Sequence, residues 1–120
     1  MIKPLGFEID DKRVKRAGLD YWQFVDLHLY ESIQDFLKMH KDRNLAFMSS
    51  HGRLPYTEIP TEDEVFLVFG KESSGLGSEL RERFRDQLFK IPIMSKHVRS
   101  LNLANAVSIV AYDCLRKMGL

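Results

Sequence analysis

The sequence is poor in the features that would assign it to a specialised class. Its one cysteine, Cys114, excludes an internal disulfide framework and suits a reducing cytoplasm. No apolar run approaches the roughly 20 residues of a membrane-spanning helix, and the first residues carry no signal-peptide pattern. We therefore expect a cytoplasmic protein that does not act in a membrane.

Charge imbalance and metal-ligand spacing are also missing. The 18 basic and 17 acidic residues give a net charge of +1, so binding to nucleic acid would require clustered charge. No phosphate-binding loop ends in Gly-Lys-Ser/Thr, which disfavours a general α/β nucleotide-binding module. The histidines lack the spacing of metal ligands, so we predict no metal; they are His28, His40, His51 and His97.

What is present is an alternation of apolar strands and amphipathic helices over one predicted domain, residues 1–120. This order predicts an α/β fold with a mostly parallel sheet flanked by helices. The predicted strands are Phe24–His28, Asn44–Met48, Val65–Phe69 and Phe89–Ile93, and the third reads as buried on both faces. The predicted helices are Asp11–Arg16, Ser32–His40, Ser78–Phe84 and Asn102–Met118, with Ser78 as a cap.

The last predicted helix carries a regular apolar stripe. Spacing of three and four residues predicts a buried face made of Leu103, Ala106, Val107, Val110, Ala111, Cys114, Leu115 and Met118. Cys114 on this face is interpreted as a core thiol, because no catalytic base pattern surrounds it.

Two loops could carry chemistry. Gly70–Leu76 follows an apolar strand, and its glycines permit positive φ and close approach of a ligand, although a simple strand-to-helix turn explains it equally. Arg99–Asn105 leads into the last helix. Helix capping accounts for its Ser100 and Asn102, but Asn105 is harder to explain inside a helix.

Three basic clusters remain. Lys12–Arg16 lies close to Tyr21 and Trp22, a combination that fits either RNA contact or a solvated surface. Arg81–Arg85 is interleaved with acidic residues and is interpreted as a solvated face. Lys96–Arg99 is the third cluster.

Taken together, these segments resemble the SPOUT family of S-adenosylmethionine-dependent RNA methyltransferases. Phe69–Leu76 resembles its Phe-Gly-x-Glu-x-x-Gly-Leu motif, and Arg99–Val107 its final motif. With Ile91–Ile93 and the segment Pro4–Tyr21, the likeness extends to the subfamily that methylates the ribose 2'-hydroxyl of the wobble cytidine or uridine of tRNA. The resemblance implies a trefoil-knotted domain, a homodimer and a tRNA substrate.

The resemblance also implies roles for individual residues. The cofactor S-adenosyl-L-methionine would be bound at Met48, Gly70, Glu72, Ile91, Ser100 and Leu101. Tyr112 would lie near the reacting ribose, and Asn105 would order the site. Contacts to RNA would come from Lys12, Arg13, Arg16 and Arg99.

One departure from the family pattern concerns the first motif. Relatives begin with a strand and helix bearing an Asn-x-Gly-x-x-Arg motif, whose arginine would activate the ribose hydroxyl, and this sequence has no matching segment. The resemblance therefore implies an N-terminally truncated copy, without the first strand and helix and with severely reduced activity. The alternative is an inactive fragment that binds cofactor or RNA only.

Overall fold

A computed structural model describes residues 1–5, 23–71, 74–98 and 101–120. They form two compact units, Met1–Lys41 and Asp42–Leu120. Assignment of 1–120 to one domain stays a prediction. The predicted basic helix that ends at Arg16 lies outside the described residues. No described helix is long and apolar enough to cross a membrane.

The first unit contains one described α-helix, α1 (Ile33–His40). Its start agrees with the sequence, since the Ser32 hydroxyl accepts a hydrogen bond from the Asp35 N–H at 3.2 Å. The Tyr30 ring meets the Phe36 ring edge-on at 5.3 Å, and its hydroxyl lies 3.0 Å from Nε2 of His40. The strand predicted at Phe24–His28 is wrong: Phe24 is 81% exposed, and no sheet neighbour holds this segment in the described part of the chain.

The second unit is built on a parallel sheet. Its strands are β1 (Asn44–Met48), β2 (Leu54–Pro55), β3 (Val65–Phe69) and β4 (Leu88–Lys90), arranged in the order β2-β4-β1-β3. All three strand pairings are parallel. Its α-helices are α2 (Ser78–Arg83) and α3 (Leu103–Lys117), with short 3-10 helices at Tyr56–Glu58 and Arg85–Gln87. The predicted α/β class with a parallel sheet is confirmed.

The core of this unit forms where α3 packs on the sheet. Val110 and Cys114 of α3 lie in one buried cluster with Ala46, Met48 and Phe89 of the inner strands. At its other end, α3 is held by Lys117, whose Nζ donates hydrogen bonds to the carbonyls of Thr57 at 2.9 Å and Ile59 at 2.6 Å. The helix position is therefore fixed by apolar burial and by a charged hydrogen bond.

Several predicted boundaries and burial patterns need correction. Strand Phe89–Ile93 is shifted to Leu88–Lys90, and Pro92 has no N–H with which to extend a ladder. Gly77, not Ser78, is the N-cap of α2, without a side-chain hydrogen bond. β3 is only half-buried along its whole length, because it is the outermost of the four described strands.

The stripe predicted on α3 is buried over only part of its width. Val110 and Cys114 are buried, as the sequence predicts. Val107, Leu115 and Met118, at 36–39% exposure, stay accessible along one side of the helix. We call these three residues the apolar flank of α3. The spacing marks the apolar side of a helix correctly, but the sheet of this chain covers only half of it.

Candidate functional site

Three loops meet at the carboxyl edge of the sheet. Parallel pairing places Met48 level with Phe69 on one side and with Phe89 on the other, so β1, β3 and β4 end close together. The chain leaves β1 first to β3 and later to β4 on its opposite side. Such a reversal opens a crevice beyond the strand ends, where ligands of open α/β sheets bind.

The loop after β1, Ser49–Gly52, is fastened to β4. The Ser49 N–H donates to the Phe89 carbonyl at 2.9 Å, and the Gly52 N–H donates back to the Ser49 carbonyl at 3.0 Å. A Cβ placed on Gly52 would lie 2.4 Å from the carbonyl carbon of Phe89. Glycine is thus required here, because the turn lies directly against the neighbouring strand.

The loop after β3 closes on itself. Lys71 and Gly75 exchange backbone hydrogen bonds at 3.2 and 2.9 Å, and Gly75 has a φ of +69°. A Cβ on Gly70 would lie 2.1 Å from the carbonyl carbon of Gly75. The sequence left open whether this segment is a simple strand-to-helix turn; the backbone instead folds back tightly across its own first glycine.

The start of α3 forms the last wall. The Asn102 side chain accepts hydrogen bonds from the N–H groups of Ala104 at 2.9 Å and Asn105 at 3.4 Å, so the capping interpretation of Asn102 is confirmed. Asn105 therefore takes part in the cap through its backbone, while its side chain is exposed. Ser100 lies outside the described residues.

These loops and α3 enclose a cavity of about 610 Å³, within the range of roughly 300–1,000 Å³ common for small-molecule sites. One side is apolar, with Phe69, Ile91, Ile93, Leu103 and Ala106 among its lining residues. The other polar and small lining residues are Ser49, Ser50, Ser74, Gly75 and Asn102, with Leu76 between the last two groups in sequence. The arrangement suits a flat, mostly uncharged group with polar edges.

The structure brings together four of the predicted cofactor residues. Met48, Gly70, Ile91 and Leu101 all line the cavity. The remaining predicted cofactor residues and the predicted RNA contacts lie outside the described residues; they are Glu72, Ser100, Lys12, Arg13, Arg16 and Arg99.

The two predicted catalytic residues are placed elsewhere. Neither Asn105 nor Tyr112 is among the residues that line the cavity. The Tyr112 side chain is 73% exposed and lies on the side of α3 opposite Val110 and Cys114. The interpretation of Tyr112 as a core aromatic is therefore wrong, and the roles of both residues stay predictions.

Sequence reasoning missed two basic lining residues, Lys71 and Arg81. The acid-rich run around Arg81 indicated a solvated face, and that interpretation is wrong for this residue, which is half-buried beside the cavity. Its place at the first turn of the helix that follows the Gly70 loop was the signal available. His51, in the loop after β1, also lines the cavity.

Cys114 is part of the core beneath this site. Burial raises the pKa of its thiol, while Lys117 opposes the shift and Asp113 adds to it. A buried thiol with a raised pKa is a weak nucleophile, so the prediction of a core cysteine is confirmed. Among the described residues no three His, Cys, Asp or Glu side chains are grouped as metal ligands; the expected absence of a metal stays a prediction.

Comparison with known proteins adds the family to this geometry. The SpoU rRNA methylase family model matches residues 1–112. A tRNA (cytidine(34)-2'-O)-methyltransferase of Saccharophagus degradans is 37% identical over 120 residues, which span 99% of this chain and 77% of that relative. The enzyme of the same name from Aeromonas hydrophila is 38% identical over 120 residues, covering 99% and 76%.

Solved structures agree. One, described as "Structural insights into the 2-OH methylation of C/U34 on tRNA", has a TM-score of 0.86 and 40% identity, covering 98% of this chain and 76% of that one. An AdoMet-bound rRNA methyltransferase from Sinorhizobium meliloti shares the fold with a TM-score of 0.72 at 23% identity, over 93% and 44% of the two chains. From its sequence relatives and its parallel sheet, the chain belongs to the SpoU rRNA methylase family.

Proposed function

We propose that the protein is an S-adenosyl-L-methionine-dependent tRNA methyltransferase that modifies the ribose 2'-hydroxyl of the wobble cytidine or uridine. The observation that carries the proposal is the cavity at the carboxyl ends of β1, β3 and β4, where Met48, Gly70, Ile91 and Leu101 meet. The names of the relatives from Saccharophagus degradans and Aeromonas hydrophila support this substrate.

The cavity fits the cofactor in size and chemistry. Its volume of about 610 Å³ admits a nucleoside with an amino-acid tail. Apolar side chains such as Ile91 and Leu103 suit the faces of an adenine ring, and the loop after β3 offers backbone groups that no side chain shields at Gly70 and Gly75. Recognition through backbone groups explains why the predicted contacts are apolar or small.

The residues of this chain would act by positioning. When bound, the cofactor supplies a methyl group on a sulfonium, a leaving group that is already activated. Met48, Gly70, Ile91 and Leu101, together with Glu72 and Ser100, would orient that donor toward the mouth of the cavity. We assign Asn105 and Tyr112 to ordering the target ribose, and Lys12, Arg13, Arg16 and Arg99 to binding the tRNA.

We further propose that the protein is a homodimer. The apolar flank of α3, Val107, Leu115 and Met118, is accessible in the single chain, and Tyr112 lies next to it on the helix. Unpartnered apolar surface of this kind marks interaction sites. A second copy covering the flank would bring Tyr112 to the interface and toward a cavity, which a single chain does not achieve.

Three coarser features complete the proposal. We infer that residues 1–120 work as one domain, that the loops around the cavity form a trefoil knot, and that the protein acts in the cytoplasm. Family membership supports the knot, and the lone buried thiol of Cys114 suits a reducing compartment.

Calorimetric titration of S-adenosylhomocysteine into the full chain tests cofactor binding. We expect saturable binding that Gly70→Trp abolishes, because any side chain at this position meets the backbone of Gly75. Glu62→Trp is the matched control: it adds the same side chain at an exposed position before β3, at the opposite end of the sheet. A folded wild-type protein that binds no S-adenosylhomocysteine would refute the proposed cofactor.

Transfer of a labelled methyl group tests the reaction itself. We expect label in tRNA with an unmodified wobble ribose and none in the same tRNA carrying a 2'-O-methyl group there. Cofactor binding without any transfer would contradict the proposed activity and favour the alternative of a chain that only binds.

A further inference from the structure

The cavity has a charged side as well as an apolar one. Lys71 leads into the loop after β3, and Arg81 follows on α2; both line the cavity. We call this pair the basic rim. Lys71 is exposed, whereas Arg81 is half-buried. The rim therefore lies where the pocket opens to solvent and also extends inward.

No acidic side chain balances the rim among the described residues of the lining. Within the described part of the chain, neither Lys71 nor Arg81 takes part in an ion pair; the salt bridges of the second unit involve Arg43, Arg53, Arg116 and Lys117. Arg81 makes one long contact, from Nε to the Gly77 carbonyl at 3.4 Å. Most of its guanidinium donors are thus available to a ligand.

The charge of the possible occupants decides between them, given the function proposed above. S-adenosylmethionine has a sulfonium and an ammonium against a single carboxylate, so its net charge is positive. Two further cations beside it raise its energy unless the carboxylate alone faces them. RNA carries one negative phosphate for each nucleotide, and Lys and Arg are its usual phosphate contacts.

We propose that Lys71 and Arg81 bind backbone phosphates of the RNA beside the target nucleotide, and so hold its ribose at the mouth of the cavity. The rim contacts phosphate, not bases, so it adds affinity without reading sequence. Arg81 can bind a phosphate through two parallel N–H groups, while Lys71 acts as a single mobile charge.

The test measures tRNA affinity against salt concentration for Lys71→Ala, Arg81→Ala and the double variant. Each single change should weaken binding about 3- to 10-fold at moderate salt, and should reduce the slope of log K against log salt by about one. Arg81→Lys, which keeps the charge, should restore the slope. Affinity for S-adenosylhomocysteine should stay unchanged in all of them.

Arg43→Ala is the matched control. It removes the same charge just before β1, at the amino end of the sheet, where Arg43 has only an exposed contact with Glu64 at 3.6 Å. Its salt slope should equal that of the wild type. Thermal melting verifies that every variant is folded.

Two results would overturn the basic rim. Unchanged salt slopes in folded Lys71→Ala and Arg81→Ala would exclude phosphate contact, even if the wild type binds tRNA and S-adenosylhomocysteine. A loss of S-adenosylhomocysteine affinity with an unchanged slope would show that the rim holds the cofactor carboxylate instead. A wild-type chain that binds neither molecule would refute the proposed function together with the rim.

Discussion

β1 and β3 are similar in sequence but differ in how far they are buried. Both have five residues and mostly apolar side chains. Four residues of β1 are buried, whereas every residue of β3 is half-buried. β1 has strands on both sides, and β3 is the outermost of the four described strands. The number of neighbouring strands, more than the hydrophobicity of the segment, sets the burial of each strand.

The loops that follow these strands repeat the contrast. The loop after β1 is hydrogen-bonded to β4, so the sheet fixes it. The loop after β3 is held by the backbone pair Lys71–Gly75, which belongs to the loop itself. One wall of the cavity is therefore as stable as the sheet, while the other can adjust independently of it.

Replacing Phe47 would break the central strand. Its ring is fully buried and stacks on Phe84 with centroids 4.3 Å apart. Phe47→Ala should lower the free energy of unfolding by about 3–5 kcal/mol, measured by chemical denaturation. Phe24→Ala, the same change at an exposed ring, should leave it nearly unchanged; equal losses in both variants would contradict the assigned core.

A side chain at Gly52 tests the fastening between the loop after β1 and β4. Its Cβ would lie 2.4 Å from the backbone of Phe89, so Gly52→Ala should cost about 1–3 kcal/mol of unfolding free energy. Ser50→Ala in the same loop, at an exposed position, is the control. If Gly52→Ala is as stable as Ser50→Ala, the two backbones are not in close contact.

The pair Leu45→Ala and Leu67→Ala compares the strands directly. Leu67, on half-buried β3, should lose only about 1–2 kcal/mol, while Leu45, buried on β1, should lose about 2–5 kcal/mol. Denaturation of both variants in parallel measures the difference. Equal losses would mean that another part of the protein covers β3 as fully as β1.

Alkylation of Cys114 should detect smaller openings of the core. Burial raises the pKa of its thiol, so iodoacetamide should react much more slowly than with a free thiol, and faster as the pH rises. Because the folded state disfavours the thiolate, this group stabilises folding below its ordinary pKa, and that contribution is lost as the pH rises through the raised value. Leu67→Ala should increase the rate a few-fold; rapid reaction in the wild type would contradict the burial of Cys114.

Local patterns in the sequence predicted much of the fold, since they come from interactions within a segment. The Ser32 and Asn102 caps and the strands Asn44–Met48 and Val65–Phe69 are examples. The short strand Leu54–Pro55 was missed, because two residues carry no periodicity. It exists only because β4 lies beside it.

Prediction of the site followed the same division. Met48, Gly70, Ile91 and Leu101 could be located by resemblance, and their convergence follows from parallel strands that end together. Arg81 could not, because its charge is masked in the sequence by the acidic residues beside it. Only the fold shows that this one member of the cluster faces a cavity.

The strand order also governs when this protein can acquire its native pairing during folding. β4 is inserted between β1 and β2, so Phe47 pairs with Leu88, and Leu54 with Phe89. β2 thus remains without a partner until a segment more than thirty residues later arrives. Because the loop after β4 forms part of the cavity, ligand binding can begin only after this late insertion, and it would serve as a kinetic signal that the sheet is complete.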